Sequence, residues 1–273
     1  MLRTRVLTAL VLLPLALAAI FGLSPGTFAW AAAALLLVGT WEFHRLADLR
    51  PLPGGAVLLM AQLGILLALL GNWDQWTASP IPPFVLACAA WGLMFLQLAR
   101  YSPGHAPDTT YRLLGGLKAL VIITAGWAAL VWLHQEPAGS WWILLLLLII
   151  WAADVGAYFS GRAIGGRKLA PTISPGKTWA GFFGGLISAA VVAAVAGMLL
   201  PGIEASLVQL ALLGLITAVV SVGGDLFISM HKRTVGLKDT GKIFPGHGGV
   251  LDRLDSLLAG APFFVLGKLL MGI

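Results

Sequence analysis

The residues best suited to chemistry lie in the last third of the chain, where aspartates and cations interrupt two apolar segments. Asp225, Ser229 and Lys232 follow one another at positions i, i+4 and i+7, so a helix would present them on one face. Asp252 and Asp255 lie three positions apart at the start of the last apolar segment. Carboxylates from two adjacent helices, surrounded by cations, suit Mg²⁺, a hard ion that takes one or two carboxylates together with substrate phosphates and water.

The stretch between these carboxylates is polar and rich in glycine. Arg233 ends the preceding helix at the membrane boundary, Lys238 and Asp239 lie in the loop, and Arg253 lies in the first turn of the last helix. His247 stands between two glycines, where the backbone must bend sharply. Its residue type leaves two readings open, a structural loop histidine and a contact to substrate phosphate.

The aspartates themselves have a structural alternative. Acidic residues in the first turn of a helix are stabilised by the helix dipole, which would account for Asp252 and Asp255 as caps. Capping does not account for Asp225 on the neighbouring helix. Zinc does not compete with magnesium here, because the five histidines lack the spacing of zinc ligands.

A second candidate segment lies upstream. Asp154, Tyr158 and Arg162 are successively four residues apart, so on a helix they form one polar stripe that descends into the membrane. Ser174 and Lys177 follow in a loop just ahead of the next helix. Backbone N–H groups at a helix start, together with a lysine, predict a phosphate site. A basic loop that meets anionic lipid headgroups and caps a helix is the alternative.

The elements that must position these residues are apolar spans. The chain is 59% hydrophobic and only 10% charged, whereas a soluble domain carries about 25% charged residues. Several stretches reach the roughly 20 residues that a helix needs to cross a bilayer. We predict an all-α, polytopic integral membrane protein of about nine transmembrane helices, at 6–23, 28–47, 54–73, 84–100, 113–134, 140–162, 181–201, 206–232 and 254–272.

The distribution of lysine and arginine predicts the orientation of these spans. With the N-terminus in the cytoplasm, sixteen of the seventeen Lys and Arg residues fall on the cytoplasmic side, as the positive-inside rule requires. Lys268 alone falls on the other side. The net charge of +6 therefore calls for no nucleic-acid partner. The first span has the alternative of a cleaved signal peptide, but the many spans that follow favour its retention.

Polar residues divide the chain into two regions. We predict that residues 1–138 form an N-terminal transmembrane scaffold, since their polar groups lie near the ends of plain Leu, Ala and Val segments. Residues 139–273 predict the C-terminal transmembrane catalytic region, because ionisable residues within a membrane are costly and usually face a cavity, a partner or a metal. The single cysteine, Cys88, excludes an intrachain disulfide.

At these residues the sequence resembles the phosphatidate cytidylyltransferases, or CDP-diacylglycerol synthases. The C-terminal signature of that family is matched by Ser229, Lys232-Arg233, Lys238-Asp239, Gly241, Phe244-Pro245, His247-Gly248-Gly249 and Asp252-Arg253-Leu254-Asp255. Its upstream pattern is matched by Asp154, Tyr158, Gly161-Arg162 and Ser174-Pro175-Gly176-Lys177-Thr178. The sequence departs from the family pattern at His231, where an apolar residue is usual, at Gly176, where lysine is common, and at Ala180, where glutamate is common.

The resemblance implies a reaction and a set of roles. CTP and phosphatidate would give CDP-diacylglycerol and pyrophosphate, in phospholipid biosynthesis, at the cytoplasmic face of the cell (inner) membrane. We expect Mg²⁺ on Asp225 and Asp252. The sequence leaves open whether a second, monovalent cation lies beside it, and whether the small residues 181–185 pack within one chain or between the two chains of a homodimer. The expected catalytic residues are Asp225, Asp252, Lys232 and Arg233. The expected substrate-binding residues are Asp154, Tyr158, Arg162, Ser174, Lys177, Ser229, Lys238, Asp239, His247, Arg253 and Asp255.

Two other classes of function compete with this expectation. Intramembrane Asp154 and Asp225 could bind the coupling ions of a secondary transporter or channel, although that class predicts polar residues that reach the outer side. Another CTP-using lipid enzyme, such as a polyprenol kinase or an archaeal-lipid cytidylyltransferase, would bind the metal and the nucleotide with the same kinds of residues. It would differ in the lipid groove, which the sequence does not reveal.

Overall fold

The fold is a bundle of long apolar helices. The computed structural model describes the backbone of residues 2–246 and 248–273 and, within these, the side chains of residue 8 and of residues 10 onward. The helices are α1 Leu2–Gly22, α2 Pro25–Leu46, α3 Ala56–Gly71, α4 Trp73–Thr77, α5 Ile81–Ala99, α6 Thr109–Gln135, α7 Gly139–Ile164, α8 Trp179–Leu199, α9 Leu207–Thr234 and α10 Leu251–Met271. A turn of π-helix, Pro51–Gly55, leads directly into α3.

The predicted spans agree with these helices to within four residues at each end, and the predicted all-α membrane class is confirmed. Among the described residues, eight helices are long and apolar enough to cross a bilayer. In the first helix, the stretch Leu10–Gly22 is apolar. The number nine and the cytoplasmic N-terminus therefore stay predictions.

Four helix starts, those of α2, α6, α8 and α9, are capped by a side chain of their own segment. Ser24, Asp108 and Thr178 each accept a hydrogen bond from a backbone N–H of the turn that follows. Ser206 and Gln209 form a reciprocal capping box at the start of α9. Such caps satisfy N–H groups that the helix itself leaves without partners. The start of α10 differs, because Val250 offers no side-chain cap.

A short antiparallel hairpin between α7 and α8 was not predicted. Strands β1, Lys168–Ala170, and β2, Ser174–Thr178, pair through Lys168 with Thr178 and Ala170 with Ser174. The sequence predicts only a loop ahead of a helix at this segment. The hairpin gives it a fixed backbone and thereby a fixed direction for the side chains of β2.

Small residues bring α7 and α8 into close contact. A methyl group added to Gly185 would stand 2.7 Å from the carbonyl oxygen of Ala153, and one added to Gly181 would stand 2.8 Å from that of Ala157. Small residues are the usual means of close helix approach in membranes. Because α7 of the same chain packs against this glycine run, the small residues 181–185 serve packing within one chain.

Candidate active site

Asp225 lies in the last third of α9 with a cation on one oxygen and a hydroxyl on the other. The Nζ of Lys177, from strand β2, stands 2.5 Å from its Oδ2. The Oγ of Ser229, one turn further along α9, donates to Oδ1 over 3.2 Å. The side chains of Asp225 and Lys177 remain 29% and 27% exposed, so this pair is open to a ligand.

Asp252, in the first turn of α10, is held by more donors and is more deeply enclosed. The Nζ of Lys232 donates to its Oδ1 over 2.8 Å. Its Oδ2 accepts from the backbone N–H of Thr240 at 2.8 Å and from that of Gly249 at 3.0 Å. Its side chain is only 5% exposed. These bonds tie the loop to α10, so Asp252 does not serve as an N-cap for the free N–H groups of its own helix.

Close packing of α9 on α10 brings the remaining carboxylates near. A methyl group on Gly224 would stand 2.7 Å from the carbonyl oxygen of Asp255, so the glycine permits the two helices to touch beside Asp225. The carboxylates of Asp225 and Asp255 act on each other electrostatically. Asp154, on α7, lies within electrostatic reach of Asp225 as well.

Lys232 interacts with the aspartates of both α9 and α10. Besides its bond to Asp252, its ammonium acts electrostatically on both Asp225 and Asp255. Within residues 2–246 and 248–273, no three acidic, histidine or cysteine side chains converge into a group that could hold a metal. Any metal at this place would therefore rely on one or two carboxylates and on oxygens brought by the substrate.

Other predicted residues surround a cavity beside this cluster. The cavity measures about 570 Å³ and lies against the α9–α10 loop, residues 235–250. It is lined by Lys238, Asp239, Gly241, Lys242, Phe244, Pro245, Gly246, Gly248 and Arg253. Three cations and one carboxylate among these give it a net positive lining. His247, also predicted for the site, lies outside the described residues.

The three upstream candidates on α7, Asp154, Tyr158 and Arg162, are all exposed, as the predicted stripe requires. Arg162 donates from Nη1 to the hydroxyl of Tyr158 over 2.8 Å. Asp154 lies within electrostatic reach of Lys177, Asp225 and Arg253. The stripe therefore joins an arginine–tyrosine pair at the end of α7 to a carboxylate beside the site.

The phosphate site predicted at the start of α8 is built differently from the expectation. Thr178 Oγ1 already accepts from the N–H of Gly181 over 3.0 Å, which is the capping alternative. Lys177 points to Asp225, and Ser174 lies half-buried in β2 beside Ala170. Arg233 donates from Nε to the carbonyl of Ile173 over 3.2 Å and so ties α9 to the hairpin.

Sequence reasoning missed a carboxylate from the N-terminal half. Glu42, near the end of α2, is 4% exposed and accepts hydrogen bonds from the N–H groups of Val250 and Leu251 and from the hydroxyl of Thr240. An acidic residue inside an apolar span is costly in a membrane. That cost was a usable signal, since Glu42 lies within the predicted span 28–47.

His231, the departure from the family pattern, also contacts the N-terminal half. Its Nδ1 lies 2.7 Å from the hydroxyl of Tyr111, and that hydroxyl donates to the carbonyl of Leu46 over 2.8 Å. The Tyr111 hydroxyl has one hydrogen, so the Nδ1 of His231 must donate to it. A polar residue at this buried position is therefore matched by a partner on α6.

The similarity to known proteins extends over the N-terminal helices as well as over the site. The model of the cytidylyltransferase family matches residues 3–270. A phosphatidate cytidylyltransferase of Pseudomonas aeruginosa is 41% identical over 267 residues, which are 97% of this chain and 96% of the relative. One of Haemophilus influenzae is 38% identical over 281 residues, with 97% of each chain covered. The predicted resemblance is confirmed, and the chain belongs to the cytidylyltransferase family of nucleotidyltransferase enzymes.

Proposed function

We propose that this enzyme transfers the cytidylyl group of CTP to phosphatidate and releases pyrophosphate. The observation that carries the proposal is the meeting of two carboxylate–lysine pairs, Lys177 with Asp225 and Lys232 with Asp252, beside a cationic cavity. The two near full-length relatives bear the name of this activity. A site of paired charges at the ends of membrane helices suits a reaction between a water-soluble phosphate compound and a lipid phosphate.

The chemistry requires position and charge neutralisation more than proton transfer. An anionic oxygen of the phosphatidate headgroup attacks the α-phosphorus of CTP and forms a new P–O bond. The bond from that phosphorus to the oxygen of the β-phosphate breaks, and pyrophosphate leaves with the electron pair. No proton must be removed from the attacking group, because a phosphate monoester is already ionised at neutral pH. Fixed cations that face the developing charge are the main protein contribution.

The lysines and arginines of the site have different roles in this proposal. Lys177 and Lys232 neutralise aspartates in the free protein and can turn to substrate phosphates as these enter. Lys238 and Arg253, which line the cavity, would hold the triphosphate and the departing pyrophosphate. Arg233 would act by keeping the hairpin, and with it Lys177, against α9.

The donor set fits Mg²⁺. Asp225 and Asp252 offer hard carboxylate oxygens that now face ammonium groups, and a cation of higher charge suits the same places. Asp225 and Asp252 would hold this ion together with oxygens of the substrate phosphates, and Asp255 and Asp154 would add negative charge nearby. When bound, the ion would neutralise phosphate charge during the transfer.

Contacts at opposite ends of the bundle support the proposed orientation. The hydroxyl of Thr8, in α1, donates to the carbonyl of Pro245 in the α9–α10 loop, so α1 starts on the side of the site. Lys268 stands 3.9 Å from Glu136 at the ends of α10 and α6, on the far side. The cation-rich loops share the side of the site, which the positive-inside rule assigns to the cytoplasm. We therefore place the site at the cytoplasmic face of the inner membrane.

The exposed pair of Tyr158 and Arg162 supports a lateral entrance for the lipid. Phe159 and Ile164 lie on the same helix and are also exposed, at 65% and 74%. An arginine held at the end of an apolar helix surface can meet a lipid phosphate while the acyl chains stay in the bilayer. Asp154, two turns before Arg162 on α7, is also exposed and would face the phosphate as it reaches Asp225.

One assay tests this proposal against its closest rival. Purified protein is incubated with CTP, Mg²⁺ and either phosphatidate or a polyprenol, and the lipid product is identified by mass spectrometry. We expect CDP-diacylglycerol from phosphatidate and no product from the polyprenol. Polyprenyl phosphate together with CDP would establish a kinase instead, and the absence of any nucleotide-dependent product would refute both.

A further inference from the structure

The start of α10 lacks a cap of its own, although it carries two of the site's aspartates. Val250 provides no side-chain acceptor, and the first N–H groups of a helix have no partner within the helix. Glu42 fills that role from a distance of more than two hundred residues. Its Oε1 accepts from the N–H of Val250 at 3.0 Å, and its Oε2 accepts from that of Leu251 at 2.9 Å.

The same carboxylate also reaches the residue that holds Asp252. The hydroxyl of Thr240 lies 2.9 Å from Oε2 of Glu42 and 3.0 Å from Oδ2 of Asp252. Because this hydroxyl has a single hydrogen, it donates to one carboxylate at a time. Arg45, one turn after Glu42, adds a bond from Nη1 to the carbonyl of Thr240 at 3.1 Å.

The loop is shaped to admit this carboxylate. A methyl group on Gly241 or Gly249 would collide with the oxygens of Glu42, so only glycine permits so close an approach at either position. Two glycines, one hydroxyl and two backbone N–H groups thus converge on one buried acidic side chain. A carboxylate with this many donors is a fixed part of the site's frame.

We propose that Glu42 is a positioning residue for the cytidylyl transfer: it caps α10 and holds Thr240, and thereby fixes the carboxylate of Asp252. This inference rests on the proposed function and adds α2 to the machinery of the site. Partners that orient a metal-binding carboxylate typically change affinity or activity by about tenfold to a hundredfold when they are altered.

The test compares Glu42→Gln with Thr40→Val. The amide replaces one of the two acceptor oxygens by an NH₂ donor, which would face the N–H of Val250 or of Leu251 without accepting from it. Thr40 is buried on the same helix and donates only to Leu36 within that helix, which makes Thr40→Val a matched control. Both proteins are purified, checked for folding by size-exclusion chromatography, and assayed for CDP-diacylglycerol formation over a range of Mg²⁺ concentrations.

We expect E42Q to lower kcat at least tenfold, to raise the Mg²⁺ concentration for half-maximal rate, and to leave the KM for phosphatidate within about twofold. Hydrogen exchange of the free protein should become about tenfold faster at Val250 and Leu251 and stay unchanged in α7 and α8. A kcat and Mg²⁺ response equal to those of Thr40→Val would overturn the inference.

Two further arms keep the outcome decisive. If E42Q does not fold, Thr240→Val removes one bond to Glu42 and leaves the backbone bond to Asp252, so it should lower kcat about threefold. A kcat equal to the control would then overturn the inference. A wild-type protein that forms no CDP-diacylglycerol would overturn the proposed function, whereas an active wild type with an unaffected E42Q would overturn only the role of Glu42.

Discussion

The two halves of the chain meet the site in different ways. The C-terminal half brings the charged groups that face one another, with Lys177 on Asp225 and Lys232 on Asp252. The N-terminal half contacts the backbone and side chains that hold those groups, through Glu42 at the start of α10 and Tyr111 at His231. In the proposed function, the groups that meet the substrate thus all come from the C-terminal half, and the N-terminal half adds only groups that keep them in place. Changes in the first should act on the rate, and changes in the second should act on positioning and stability.

The sharpest test of this division is Asp225→Asn. The change keeps the shape of the side chain and removes the charge that faces Lys177, so we expect kcat to fall by roughly a thousandfold, or about 4 kcal/mol in barrier height. The protein should still insert into membranes and keep its unfolding temperature within a few degrees. Rates of CDP-diacylglycerol formation in purified protein measure the effect.

Asp74→Asn is the matched control for that experiment, because Asp74 is exposed on the short helix α4, away from the site. It should leave the rate unchanged. Substantial turnover by Asp225→Asn would show that Asp225 does not hold the metal. The proposed contrast between the two halves of the chain would then lose its main support.

The two lysines should separate rate from stability within the C-terminal half. Lys232→Met leaves Asp252 without its cation in a place where the side chain is 5% exposed, and loss of one partner of a buried pair costs about 3–5 kcal/mol. Lys177→Met frees a carboxylate whose side chain is 29% exposed, so the free energy of unfolding should fall by less than in Lys232→Met while the rate falls. Thermal unfolding in detergent, measured beside activity, compares the two. Equal losses of stability would contradict the expectation that the more deeply buried pair, Lys232 with Asp252, stabilises the fold more than Lys177 with Asp225.

Tyr111→Phe addresses a contact between the halves that lies away from the substrate. It removes the hydroxyl between His231 and the carbonyl of Leu46 and leaves a buried imidazole without that partner. We expect a loss of about 1–3 kcal/mol in the free energy of unfolding with kcat within about twofold of the wild type. Denaturation monitored by Trp fluorescence, followed by assay at a temperature where both proteins are folded, checks both parts. A tenfold lower kcat would assign Tyr111 to the catalytic machinery.

Much of the fold was predictable because the membrane restricts it so strongly. Apolar runs of sufficient length must form helices, since a bilayer offers no water to bond free backbone groups. Even the end of α9, Thr234, lay two residues from the predicted boundary. The hairpin of β1 and β2 was not predictable in this way, because its few residues lie outside the apolar segments and its strands are short.

The site was predictable where its residues share one element. Ser229 bonds Asp225 one turn away on α9, as the spacing of the two residues indicates. Lys177 on Asp225 and Lys232 on Asp252 depend on how separate elements pack, and spacing along the chain carries no such information. Glu42 lies 208 residues from Val250, so only the folded structure shows that it caps α10. The expected roles of Lys238, Asp239 and His247 toward the nucleotide stay predictions.

The smallest effect is expected at an exposed ion pair of the N-terminal half. Arg112 and Asp48 form an ion pair at 2.7 Å within the N-terminal half, with side chains 47% and 40% exposed. Because water screens both charges, Arg112→Gln should change the free energy of unfolding by less than about 1 kcal/mol, and kcat should stay within experimental error. The same unfolding and product assays measure both quantities, and high salt should abolish any remaining difference. A large loss of activity from this exposed pair would mean that the N-terminal half acts on the site as a whole. In that case Glu42 and the residues around it would not be the specific route between the two regions.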